Sequence, residues 1–125
     1  MSYKNTYNSN VQPPAPYAKV TIIHPTKKNQ SVDDDALVDS GASGTCITKW
    51  IVERLMLIPN NMVQSYDYQG NLVGTKPTYQ VKVSFGKFTF VVNAAETDGG
   101  TIIGRDILNQ LTTILKGKTK QLEMI

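Results

Sequence analysis

The chain has 125 residues, 40% hydrophobic and 18% charged, with 13 basic and 10 acidic side chains and a formal charge of +3. That length holds one core rather than two, and the composition excludes a disordered or collagen-like chain. The charge is too mild and mixed to point to nucleic acid or a membrane surface, and a lone cysteine, Cys46, excludes an intrachain disulfide.

Residues 1–16 are polar, rich in asparagine, and close on Pro13, Pro14 and Pro16. They hold too little apolar area to order themselves, so a flexible leader is expected, with the folded domain running from 17 to 125. Residues 17–23 are apolar and β-branched and read as a strand, with 25–30 as the turn after it. A second strand, 36–38, runs straight into Asp39-Ser40-Gly41, and 45–48 is a short strand. From 49 to 57 the period changes. Trp50, Ile51, Leu55 and Ile58 form a helical stripe that Pro59 stops.

Residues 63–73 centre on Gln69-Gly70-Asn71, a hairpin tip. Tyr79, Val81, Val83 and Phe85 alternate, and Gly86-Lys87 turns them into 88–92, the clearest hairpin of the chain. After Asp98-Gly99-Gly100 come the apolar Ile102-Ile103, a helix over 105–111, and a last hairpin over 112–125. The class is mainly β with one or two short helices.

An acid at the end of a buried strand is costly unless it is hydrogen-bonded, exposed or at work. Asp39 is such an acid, although Asp-Ser-Gly alone is ordinary turn chemistry. Other candidates are weaker. The 41–44 stretch lacks the G-x-S-x-G spacing of a nucleophile elbow. A triad would rest entirely on His24, the only histidine. Asp33, Asp34 and Asp35 lack the calcium-loop pattern and read as a solvated turn. Lys116, Lys118 and Lys120 mark a charged hairpin edge, and Cys46 reads as a small core or pocket residue.

Two segments decide the matter together: Ala36-Leu37-Val38-Asp39-Ser40-Gly41-Ala42 and Ile102-Ile103-Gly104-Arg105-Asp106-Ile107-Leu108. In this order, with a Gly70-centred hairpin between them, they resemble the retropepsin family, the retroviral and LTR-retrotransposon aspartic proteases. Gypsy-type and gammaretrovirus-like versions look most similar. The resemblance implies a retropepsin-like closed β-barrel subunit that acts as a homodimer. Asp39 would be the catalytic acid, and Ser40 would hydrogen-bond across the dimer axis. Gly41 would admit the substrate backbone. Ala42 would line a pocket, and Ser43 stands where many members have an acid. Tyr66, Asp67, Tyr68, Gln69, Gly70, Asn71, Leu72 and Val73 would form the flap. Leu37 and Ile102 would line substrate pockets. Ile103, Gly104, Arg105 and Asp106 would brace the core and dimer base. With Ser43 in place of the acid, the partner of Arg105 is left open.

The implied chemistry needs two carboxylates facing one water and sharing a proton. One Asp-Ser-Gly per chain then requires a second chain. The expected activity is aspartic endopeptidase cleavage between largely apolar residues, probing an extended strand of a Gag-Pol-like polyprotein, with no cofactor and no metal. A catalytically weak dimerisation or peptide-binding module is the alternative. Neither nucleic acid nor membrane is expected as a partner. The expected setting is cytoplasmic or within virus-like particles, since the N-terminus lacks a signal-peptide core and no apolar run approaches the ~20 residues of a membrane span.

Overall fold

The computed structural model describes residues 2–125. Ten strands and two short helices follow in the order β1 (Tyr3–Thr6), β2 (Tyr17–Ile23), β3 (Ser31–Val38), β4 (Cys46–Thr48), α1 (Lys49–Arg54), β5 (Asn61–Tyr66), β6 (Leu72–Phe85), β7 (Phe88–Thr97), β8 (Ile102–Ile103), α2 (Arg105–Leu108), β9 (Thr113–Lys116) and β10 (Gln121–Met124). The mainly β class is as expected. Both helices are shorter than the expected 49–57 and 105–111, α1 ending at Arg54 and α2 at Leu108.

Alternation explains the core. Val81, Val83 and Phe85 of β6 face Ala18, Val20 and Ile22 of β2 across one buried cluster, joined by Ile47, Ile51, Ile103 and Ile107. The β6–β7 hairpin pairs from Thr78↔Ala95 to Phe85↔Phe88, and Gly86 supplies the positive φ its turn needs.

Three expectations need correction. First, β3 begins at Ser31, so Asp33, Asp34 and Asp35 lie in a strand rather than a turn. Their register sets Asp35 opposite Lys19 and Asp33 opposite Thr21, whose hydroxyl donates to Asp33 at 2.8 Å. These cross-strand partners offset the poor strand propensity of aspartate.

Second, the leader is not loose throughout. Tyr3–Thr6 pairs with β10, and the Tyr3 ring meets Phe85 edge-on at a centroid distance of 5.4 Å. Burial pushes the Tyr3 phenol up, against the Lys19 N–H that donates to its oxygen at 2.8 Å.

Third, the barrel is not closed. The sheet order is β2-β3-β8-β4-β7-β6-β5, and β2 meets β6 over Thr21, Ile22 and Ile23 alone. The two-residue β8 joins β3 through two pairs and β4 through one. With two residues, β8 carries one side chain on each face, so its joins to β3 and β4 are short. A separate three-stranded sheet, β1-β10-β9, packs below.

Candidate active site

Asp39 stands one residue past β3, where its N–H donates to the Ile103 carbonyl at 3.0 Å. The following turn is tied to it twice. The Gly41 N–H donates to Asp39 Oδ1 at 2.8 Å, and the Ala42 N–H donates to the Asp39 carbonyl at 3.2 Å. A Cβ on Gly41 would sit 3.1 Å from that same Oδ1, so a side chain would crowd the carboxylate it now supports. Asp39 is half-buried, whereas Ser40 and Gly41 are exposed.

The loop is pinned from behind by α2. The Arg105 N–H donates to the Ala42 carbonyl at 2.9 Å, and the Arg105 guanidinium donates to the Ser40 carbonyl at 2.8 Å. The partner of Arg105 is thus a backbone oxygen, and none of the salt bridges among the described residues includes Arg105. Gly104 lies against the loop: a Cβ there would stand 2.4 Å from the Gly44 carbonyl carbon and oxygen. Only glycine allows two backbones that close.

Thr45 and Asp106 complete the clasp. Asp106 accepts from the Thr45 N–H at 3.0 Å, from the Thr45 hydroxyl at 2.7 Å and from the Ile107 N–H at 2.9 Å. The Gly104 N–H in turn donates to the Thr45 hydroxyl oxygen at 3.3 Å. Thr45 is 1% exposed, so its polar groups need these partners. Nothing local in the sequence marks Thr45 as important; a polar residue amid small loop residues is the only signal. Beside it, burial pushes the Cys46 thiol up, with the Asp106 and Asp39 carboxylates adding to the effect. That environment disfavours the thiolate.

The predicted flap residues lie together. β5 and β6 form a hairpin whose register shifts between Ser65 and Tyr66, next to the tip. There the Asp67 carboxylate accepts from the N–H groups of Gln69 and Asn71, both at 2.9 Å, while Gly70 takes a φ of +86°. The Asn71 N–H first, then Gln69 and the Asn71 side chain, hold Asp67 below the usual carboxylate range. Tyr66 leans back, its hydroxyl donating to Gln64 at 2.7 Å, whereas Tyr68 is 97% exposed. Leu72 and Val73 are exposed on the returning strand.

Between the loop that follows Asp39 and the β5–β6 hairpin lies a cleft of about 420 Å³, lined by Gly41 to Cys46, Val63 to Tyr66, Lys76, Thr78 and the end of β7. Ala42 and Ser43 border it. Leu37 and Ile102 do not: they are cross-strand partners, half-buried, on the β3–β8 join. Among the described residues no group of three or more histidine, cysteine, aspartate or glutamate side chains could hold a metal ion. No helix among them is long and apolar enough to cross a membrane.

A family model described as aspartyl protease matches residues 23–111. The fold is shared with a retropepsin-like aspartic protease from Rickettsia conorii at a TM-score of 0.65, with 14% identity over 99% of this chain and 90% of that one. The EIAV protease, solved with an inhibitor, matches at a TM-score of 0.54, with 24% identity over 85% of this chain and 93% of that one. No curated protein matches.

Proposed function

The chain belongs to the aspartyl protease family, and on that premise we propose that it is an aspartic endopeptidase active as a homodimer, each copy supplying one Asp39. The observation that carries this reading is the mounting of Asp39. Its carboxylate holds the Gly41 amide, on a loop braced from behind by Arg105 and Asp106. Water attack on an amide needs one carboxylate to take the water's proton and a second, protonated, to polarise the carbonyl. Asp106 is the other acid near the loop, but Thr45 and Ile107 occupy its oxygens. The second acid therefore comes from a second chain, which sets two Asp39 carboxylates on either side of one water.

The outer edge of β9 supports the dimer. It is unpaired in the order β1-β10-β9, and Val38, Ser40, Leu108, Leu111, Thr113 and Leu115 line an open pocket of about 210 Å³ beside it. Leu115 is 57% exposed, and the Thr113 hydroxyl is buried without a partner. A second copy seated there would cover apolar surface and an open strand edge within reach of Ser40. The substrate would lie as an extended strand between loop and flap, taking main-chain hydrogen bonds along its length. Cleavage falls between largely apolar residues of a Gag-Pol-like polyprotein, a substrate the retropepsin resemblance suggests.

The test is to incubate the purified chain with polyprotein-junction peptides at mildly acidic pH, beside Asp39→Asn. We predict cleavage by the wild type and a loss of about 10³-fold or more in the variant, the scale for removing one member of a catalytic unit. Equal cleavage by both would remove Asp39 from the chemistry. Peptide binding with no cleavage by either protein would favour a peptide-binding module instead.

A further inference from the structure

We propose that the cleft beside Ala42 and Ser43 is a subsite for an acidic substrate side chain, with Lys76 as the residue that selects it. This rests on the peptide-binding reading above and deepens it. The cleft has apolar walls, with Ala42, Val63, Tyr66 and Ala95 among them, but polar groups are set into it. Ser43, Ser65, Lys76, Thr78, Asn93 and Thr97 all border it. Val63 lies opposite Lys76, and Thr78 lies opposite Ala95. Strand alternation therefore turns Lys76 and Thr78 to the same face as Asn93, Ala95 and Thr97.

Among the described residues bordering the cleft, Lys76 is the one cation. Glu96 also borders the cleft, but its carboxylate accepts from the Tyr79 hydroxyl at 3.3 Å. Tyr79 follows Thr78 and is buried in the core, so that carboxylate is drawn to the opposite face of the hairpin. Lys76 Nζ stands 3.5 Å from Asp98 Oδ2, and the Asp98 side chain is 81% exposed. So open an ion pair is a weak hold. A substrate carboxylate entering the cleft exchanges with Asp98 for Lys76, in partial shelter from water, where a charge-assisted hydrogen bond is stronger. Other donors converge there. The Asn93 Oδ1 is taken by Asn60 at 2.9 Å, which leaves the Asn93 amide hydrogens for a ligand. Ser65 and Thr97 add hydroxyls.

The experiment uses one cleavable peptide in which each position flanking the cleaved bond carries Glu, Gln or Lys in turn. Cleavage is measured as kcat/KM with the 125-residue wild type, Lys76→Glu and Asp98→Ala. Binding of the same peptides is measured with the Asp39→Asn chain and with Asp39→Asn/Lys76→Glu. We predict that at one position Glu is favoured over Lys by about 10-fold, the scale of one charge-assisted contact. Lys76→Glu should invert that order, and Asp98→Ala should sharpen it by freeing Lys76. An unchanged ranking in Lys76→Glu overturns the subsite while leaving proteolysis standing. An acidic preference in binding with no cleavage by the wild type keeps the subsite and overturns proteolysis. Absence of both binding and cleavage overturns both.

Discussion

Gly104 and Thr45 show how single residues place the loop that carries Asp39. A Cβ at Gly104 would overlap the Gly44 carbonyl at 2.4 Å, and backbone on backbone cannot yield as a flexible side chain would. We predict that Gly104→Ala costs about 3 kcal/mol, the upper range for overpacking, and displaces the loop that carries Asp39. Urea unfolding measures the first effect and peptide cleavage the second. A variant with wild-type stability and activity would contradict the close approach. At this scale the sequence was legible where residues are neighbours. Asp39-Ser40-Gly41 and Ile102-Ile103-Gly104-Arg105 stand together as motifs. The Thr45–Asp106 clasp joins residues 61 apart, so no local pattern reveals it. Arg105 likewise has a backbone carbonyl as partner, and a backbone atom leaves no trace in side-chain identities.

At the scale of elements, the tip of the β5–β6 hairpin is held by one carboxylate. Asp67 is depressed chiefly by the Asn71 N–H, so its charged form is what the folded tip stabilises. A depressed carboxylate contributes stability above its ordinary value and loses that contribution as pH falls through the lowered one. We predict that protection of the Gln69 and Asn71 amides, taken relative to the intrinsic exchange rate at each pH, holds at mildly acidic pH and falls only below the ordinary carboxylate range. Asp67→Ala should abolish that pH dependence. NMR-detected exchange decides; a transition centred near neutral pH would contradict the assignment. Elements with strong local periodicity, such as the β6–β7 hairpin, are legible in the sequence. The acidic half of β3 is not, because its strand character comes from Lys19 and Thr21 across the ladder. Nor is β1, whose polar composition hides Tyr3 and its seat on Phe85.

For the whole molecule, the short joins of β8 and the free edge of β9 matter most. Barrel closure depends on how many residues each join contributes, which strand patterns alone do not fix. The open edge of β9 has a direct consequence if a second chain covers it. Leu115 is exposed in the single chain, so Leu115→Asp should leave the fold intact while placing a charge in the proposed interface. We predict that it weakens self-association by about 100-fold and removes activity in step, since an unpaired buried charge costs several kcal/mol. Sedimentation across a concentration series reads the first effect. Unaltered self-association would move the interface elsewhere.

The shared site itself is tested most directly by mixing subunits. A fixed amount of wild-type chain is equilibrated with increasing amounts of the Asp39→Asn chain, and the rate of peptide cleavage is followed. If each active site needs an Asp39 from both chains, mixed dimers are inactive. The rate then falls steadily as the variant captures wild-type partners. A rate that stays constant at every ratio would mean that one chain holds a complete site, and that would contradict the claim.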